Sequence, residues 1–218
     1  MAVVPENLEI AFGDLRLRAL LGVPADAEGL VIFAHGSGSG RLSPRNNRVA
    51  AALREAGLAT LLLDLLTPEE ERDRANVFDI PLLASRLSFA ADWSLAAPET
   101  AGLPIGYFGA STGAGAALVA AAAPRTPVRA IVSRGGRPDL AGAALPRVTV
   151  PTLLLVGGLD TQVAELNRVA CQRMIAALKK LVIVPGAGHL FEEPGTLDAV
   201  QRHAILWFRQ YLAGEGGA

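Results

Sequence analysis

Short, almost wholly apolar runs recur along this chain, separated by longer mixed stretches. Leu30 to Ala34, Leu58 to Leu63, Ile105 to Phe108, Arg129 to Val132, Pro151 to Val156 and Leu181 to Val184 are such runs. Continuous apolar character over so few residues is what strands buried on both faces require. Helical patterns lie between them. Ser43 as N-cap and Pro44 at the first helical position open one that runs to about Ala56, where Gly57 ends it. Others span Ile80 to Ala97, Ala114 to Ala123 up to Pro124, Val163 to Leu178, and about Leu197 to Leu212. Upstream, Leu8 to Phe12 and Leu15 to Val23 flank the turn signal Gly13-Asp14. Leu15, Leu17, Ala19 and Leu21 alternate with Arg16, Arg18 and Leu20, which suits an antiparallel hairpin at a sheet edge. Thr67 to Asn76 is charged and reads as a surface excursion. Strands alternating with helices predict an α/β fold, a mostly parallel sheet covered on both faces. No repeat or linker divides the chain, so one domain over residues 1–218 is expected.

Composition narrows the function. Hydrophobic residues make up 51 % of the 218, so a well-buried core is expected and disorder is not. A net charge of −1 gives no electrostatic reason to expect nucleic acid or an anionic membrane as partner. The stretch M-A-V-V-P-E-N-L-E-I has no basic n-region, and no apolar run approaches the roughly 18 residues that span a bilayer. A cytoplasmic location is the expectation. Cys171 is the single cysteine, so no internal disulfide can form. It falls within an apolar helical pattern and reads as a small core residue.

The chemistry centres on Pro104 to Ala116, P-I-G-Y-F-G-A-S-T-G-A-G-A. A buried strand runs into Gly109-Ala110-Ser111-Thr112-Gly113, and an alanine-rich helix follows at once. Strand, G-x-S-x-G, then helix is the setting of a nucleophile elbow. So abrupt a reversal strains the central residue and lifts its side chain clear of the sheet. Bulk two positions to either side would collide, hence glycine at 109 and 113. A tight turn with an incidental serine would share the pattern, in a chain that has 23 glycines.

Serine needs a base, and the base an acid to fix its tautomer. In an open parallel sheet such groups gather at the carboxyl ends of the strands. His189 follows the last strand and Asp160 the one before it, so the chain order is Ser111, Asp160, His189. Only three histidines exist. His203 lies inside the last helix and reads as structural. His35 opens the glycine loop and is expected to hold it by hydrogen bonds. Among rival acids, Asp64 is expected to cap or pair, Asp139 would serve only if its loop reached across, and Asp79 and Asp198 sit at helix starts. The oxyanion that develops during acyl transfer needs donors. Thr112 N–H is one candidate. The other comes from His35-Gly36-Ser37-Gly38, with Ser37 N–H preferred and Gly38 next.

These stretches resemble the α/β-hydrolase fold, and within it the dienelactone hydrolase-like group. H-G-S-G-S-G-R, G-A-S-T-G, V-S-R-G-G-R-P-D-L and G-A-G-H-L-F-E-E-P carry the likeness, which covers nearly the whole chain. It implies an eight-stranded sheet without a large cap and the triad Ser111, Asp160, His189. Dienelactone hydrolases proper use a cysteine nucleophile where Ser111 stands here. The departure favours a general carboxylic-ester hydrolase acting through an acyl-enzyme on a small-molecule ester.

Arg41, Arg45, Arg134 and Arg137 lie in or near loops of the same edge. Gly38, Arg41 and Arg134 are the candidate substrate-binding residues. Arg134 could clamp a substrate carboxylate, or form an internal ion pair with Asp139 or Asp64. Thioester hydrolysis and acyl transfer use the same constellation and stay open, as does a non-catalytic binding protein on this fold. A dinucleotide site fits poorly, because G-x-G-x-x-G would need glycine where Arg41 stands. No pair of histidines has ligand spacing, so neither metal nor cofactor is expected. A second copy of the chain, in a homodimer, is the one protein partner considered.

Overall fold

The computed structural model describes residues 3–175 and 178–213. Eight strands form one sheet in the order β1-β2-β4-β3-β5-β6-β7-β8. β1 (Glu6–Phe12) and β2 (Leu15–Gly22) make the expected edge hairpin around Gly13, whose φ of 57° suits the turn. β2 also runs antiparallel to β4 (Ala59–Leu63). Every other pairing, among β3 (Leu30–Ala34), β4, β5 (Ile105–Ala110), β6 (Val128–Arg134), β7 (Thr152–Gly157) and β8 (Lys179–Val184), is parallel.

Two apolar layers sandwich the sheet. Val49, Ala50 and Leu53 of α1 (Pro44–Glu55) share one with Val200, Ala204 and Phe208 of α6 (Thr196–Leu212). Leu83 and Leu87 of α3 (Ile80–Ala96) share the other with Ala117 and Leu118 of α4 (Thr112–Ala121). β3 and β5 are neighbours, yet the helices that follow them lie on opposite faces. The chain therefore leaves a crevice between their carboxyl ends, the switch point at which open α/β sheets carry their sites. Among the described residues no helix is long and apolar enough to cross a membrane.

Three local expectations change. α5 spans Thr161–Arg173 and stops short of Leu178, with Met174 and Ile175 already outside it; residues 176–177 of the expected helix lie outside the described residues. The Met174 side chain is buried in the core beyond the helix, so its apolar pattern reflected packing and not helical continuation. Cys171 is half-buried and not a core residue, because Ala170 takes the inward position beside it. The excursion after β4 carries structure of its own, a 3-10 turn at Glu70–Arg72 and the short α2 at Arg74–Val77. Asp73 and Asp79 cap the helices there by accepting the N–H of Ala75 and Leu82, each at 2.9 Å.

Candidate active site

β5 ends at Ala110 and α4 begins at Thr112, so one residue turns the chain. That residue, Ser111, has φ 51° and ψ −121°, a conformation that costs a non-glycine residue on the order of 1–3 kcal/mol. The surroundings enforce it. Ser111 N–H donates to Arg134 O at 3.3 Å, and Ser111 O accepts from Arg137 N–H at 3.0 Å. A Cβ on Gly109 would come 2.5 Å from Ala114 Cα, and one on Gly113 only 2.2 Å from Ala34 O. Both obstacles are backbone and have no rotamer by which to withdraw, so glycine at these positions is a steric requirement.

The loops after β7 and β8 are laced together. Gly158 N–H donates to Val184 O at 2.8 Å and Leu159 N–H to Ala187 O at 2.9 Å. This brings His189 Nδ1 to 2.6 Å from Asp160 Oδ2. The Asp160 side chain is 16 % exposed and that of His189 40 %, so the acid is shielded while the imidazole is open to a ligand. With Nδ1–H given to the carboxylate, Nε2 is left as the basic nitrogen. Ser111 lies across the β6 loop. A Cβ on Gly135 would sit 3.6 Å from His189 Cε1, and the preceding residue, Arg134, accepts the Ser111 N–H. Asp160 and His189 are joined, whereas Ser111 Oγ makes no hydrogen bond to His189 at rest. Such bonds commonly tighten only with substrate in place.

The glycine loop packs directly on the elbow. A Cβ on Gly36 would come 3.0 Å from Ser111 Cβ. His35 is buried and pins the loop, as expected of it. Its Nε2 accepts Leu65 N–H at 3.1 Å, so Nδ1 carries the proton and donates to Gly36 O at 3.0 Å. Ser37 N–H is not free; it donates to Thr112 Oγ1 at 2.9 Å. Thr112 N–H, at the first turn of α4, donates to no protein acceptor among the described residues. A cleft of about 560 Å³ runs from Ser37 and Gly38 past Arg41 to Leu66, Pro68 and Glu71. The excursion after β4 thus forms one wall. Exposed Leu159 and Leu190 stand beside Asp160 and His189 as an apolar rim.

Three of the four edge arginines are taken by acids. Arg41 pairs with Asp64 through its guanidinium and through its N–H at 2.6 Å, so its charge is engaged although it lines the cleft. That pair also occupies the acid that a dinucleotide ribose would need. Arg45 pairs with Glu192 at 2.8 Å and Arg137 with Asp139 at 2.7 Å. Among the described residues Arg134 pairs with no acid; the ion pair with Asp139 or Asp64 weighed from the sequence is not formed, and those carboxylates are held by Arg137 and Arg41. Burial, assisted by the like charge of Arg45, lowers the Arg134 guanidinium to about 10.

Sequence reasoning missed two contributors. Thr112 Oγ1 bridges the elbow to the glycine loop, which no local pattern reveals. Asn167 is fully buried on α5, and its Nδ2 donates to Gly136 O at 2.9 Å, fixing the loop after β6. An asparagine on the apolar face of a helix was the available signal. Among the described residues no three His, Cys, Asp or Glu side chains gather as metal ligands.

Residues 5–200 match the model of the alpha/beta hydrolase family. The crystal structure of a dienelactone hydrolase from Anabaena variabilis is 54 % identical, with a TM-score of 0.93 over 97 % of this chain and 100 % of that one. The esterase domain of a Rhodothermus marinus protein shares the fold at 18 % identity, with a TM-score of 0.74 over 95 % of this chain and 99 % of that one. A Mycobacterium tuberculosis protein provisionally named a phosphoribosyl transferase is 60 % identical over 211 residues, 97 % of this chain and 47 % of its own length. The chain thus spans about half the length of the curated relatives it matches.

Proposed function

Because the chain belongs to the alpha/beta hydrolase family and is dienelactone hydrolase-like within it, we propose that it hydrolyses small carboxylic esters through an acyl-enzyme on Ser111. The observation that carries this reading is the 2.6 Å bond between His189 and Asp160 at the sheet edge where Ser111 is strained. Asp160 holds the imidazole in the tautomer whose Nε2 is basic. His189 Nε2 takes the Ser111 proton as Oγ attacks the ester carbonyl, then returns it to the leaving alkoxide. Water repeats the cycle on the acyl-enzyme. Thr112 N–H, left without a partner among the described residues at the start of α4, receives the oxyanion. We assign the second donor to Ser37 N–H, shared as a three-centre bond between Thr112 Oγ1 and the oxyanion. Gly38 N–H is the neighbouring donor in the same loop.

The transferase name of the mycobacterial relatives belongs to proteins about twice as long as the region they share with this chain. Thioester hydrolysis and transfer of the acyl group to an alcohol would use the same residues, and the nucleophile that meets the acyl-enzyme decides between them.

Substrate size follows from the walls. The excursion after β4 shields one side, and beside Asp160 and His189 the exposed Leu159 and Leu190 supply apolar surface. A series of p-nitrophenyl esters is expected to give its highest kcat/KM at two to four acyl carbons, on the order of tenfold above a twelve-carbon chain. Preference for the long chain, or no ester turnover at all, would overturn the reading.

A further inference from the structure

Among the described residues, Arg134 is the one guanidinium of the active edge that no carboxylate meets. It is 8 % exposed, and its Nε and Nη1 are buried without a hydrogen-bond partner. Among the described residues Nη2 makes no protein hydrogen bond either, but it is not shut away from solvent. The direction of the side chain follows from strand alternation. Ala130 and Val132, four and two residues earlier on β6, pack in the α1–α6 layer, whereas Ser133 Oγ faces Gly136 beside Ala114 of α4. Arg134 therefore leaves β6 on the α1–α6 side, where Arg45 at the start of α1 is the charge it feels.

Two acids of that side are held by other arginines, and the third, Glu193, makes no salt bridge among the described residues and keeps a buried Oε2 without a hydrogen-bond partner. Glu192 is held by Arg45 and Asp198 by Arg48. Glu193 lies against Gly188, whose N–H holds its carboxyl below the usual range. A cleft of about 410 Å³ opens between the start of α1 and the segment from Phe191 to Gly195. A buried cation beside another cation, with its donors unfilled, destabilises the folded state unless an anion arrives. The backbone that carries this side chain sits next to Ser111. Arg134 is paired in register with Ala110, and its carbonyl accepts the Ser111 N–H.

We propose that Arg134 is a substrate-binding residue that receives an oxyanionic group, carboxylate or phosphate, on the non-reacting end of the ester. This proposal rests on the assignment of Ser111 as nucleophile only for its kinetic test. The ester lies with its carbonyl at Ser111 and its anionic end toward the α1–α6 side. The planar fork of arginine accepts two oxygens of either anion, which an ammonium does not.

The test compares a p-nitrophenyl hemisuccinate, a p-nitrophenyl ester bearing a phosphate at the same distance, and a neutral ester of matched length. In Arg134→Met, which keeps the volume of the stem, KM for the preferred anionic ester is expected to rise about 10- to 100-fold. KM for the neutral ester should move less than about twofold. The melting temperature should hold or rise, because a buried unpaired charge has gone. Arg134→Lys should fall between. Which anionic ester loses more identifies carboxylate or phosphate as the ligand. Calorimetric titration of the unmodified protein with succinate and with inorganic phosphate runs alongside. Binding that Arg134→Met abolishes, without turnover of any ester, would keep the anion site and sink the hydrolase reading. Equal losses on anionic and neutral esters, a lower melting temperature with an unchanged KM ratio, or no anion binding by the unmodified protein would overturn the proposal.

Discussion

Ser111→Ala is expected to lower kcat for p-nitrophenyl acetate by on the order of 10⁶, about 8 kcal/mol of transition-state stabilisation. In the proposed mechanism the nucleophile has no substitute, so base, acid and oxyanion donors without Oγ are left with water as the only attacking group. The fold should survive, because alanine meets the same φ of 51° under the same backbone hydrogen bonds. Circular dichroism and the melting temperature should therefore stay near those of the unmodified protein. Substantial turnover by the variant, with contaminating esterase excluded, would remove Ser111 from the role.

Asp160→Asn is the second large effect, expected at about 10⁴ in kcat. The carboxylate at 2.6 Å accepts the Nδ1 proton, and in the proposed mechanism it stabilises the imidazolium formed during proton transfer. An asparagine at the same place can offer its own N–H to Nδ1. The ring proton then moves to Nε2, and the base can no longer accept from Ser111. The loss should be smaller than that of Ser111→Ala, because nucleophile and oxyanion donors remain. A near-normal rate would show that the acid is not needed. Asp64 and Asp139 are poor replacements, since Arg41 and Arg137 hold them.

Much of this arrangement was legible before any coordinates, because it follows from periodicity and steric need. The continuous apolar runs gave the parallel strands, and β3 at Leu30–Ala34 matches its run residue for residue. Gly109 and Gly113 could be read as elbow glycines since the collision they avoid is local to one turn. Asp160 and His189 could be paired from strand order alone, because parallel neighbours β7 and β8 deliver their following loops to the same point. What stayed hidden depends on contacts distant in sequence. Thr112 Oγ1 takes the Ser37 N–H across 75 positions. Arg134 is left without an acid among the described residues, which no pattern along the chain reveals, while Arg41 and Arg137 hold Asp64 and Asp139. α5 ends before the expected Leu178 because Met174 is apolar and buried, and an apolar pattern does not tell a helix from the packed segment that leaves it.

The central claim is that Ser111 is an activated nucleophile. Its most direct test is covalent labelling by a fluorophosphonate, followed by peptide mapping. The probe mimics the tetrahedral transition state and needs both an activated serine and oxyanion donors. One equivalent is expected on the peptide bearing Ser111, with labelling slowed strongly in Asp160→Asn and absent in Ser111→Ala. No labelling of the folded protein, or labelling that persists in Ser111→Ala, would contradict the account.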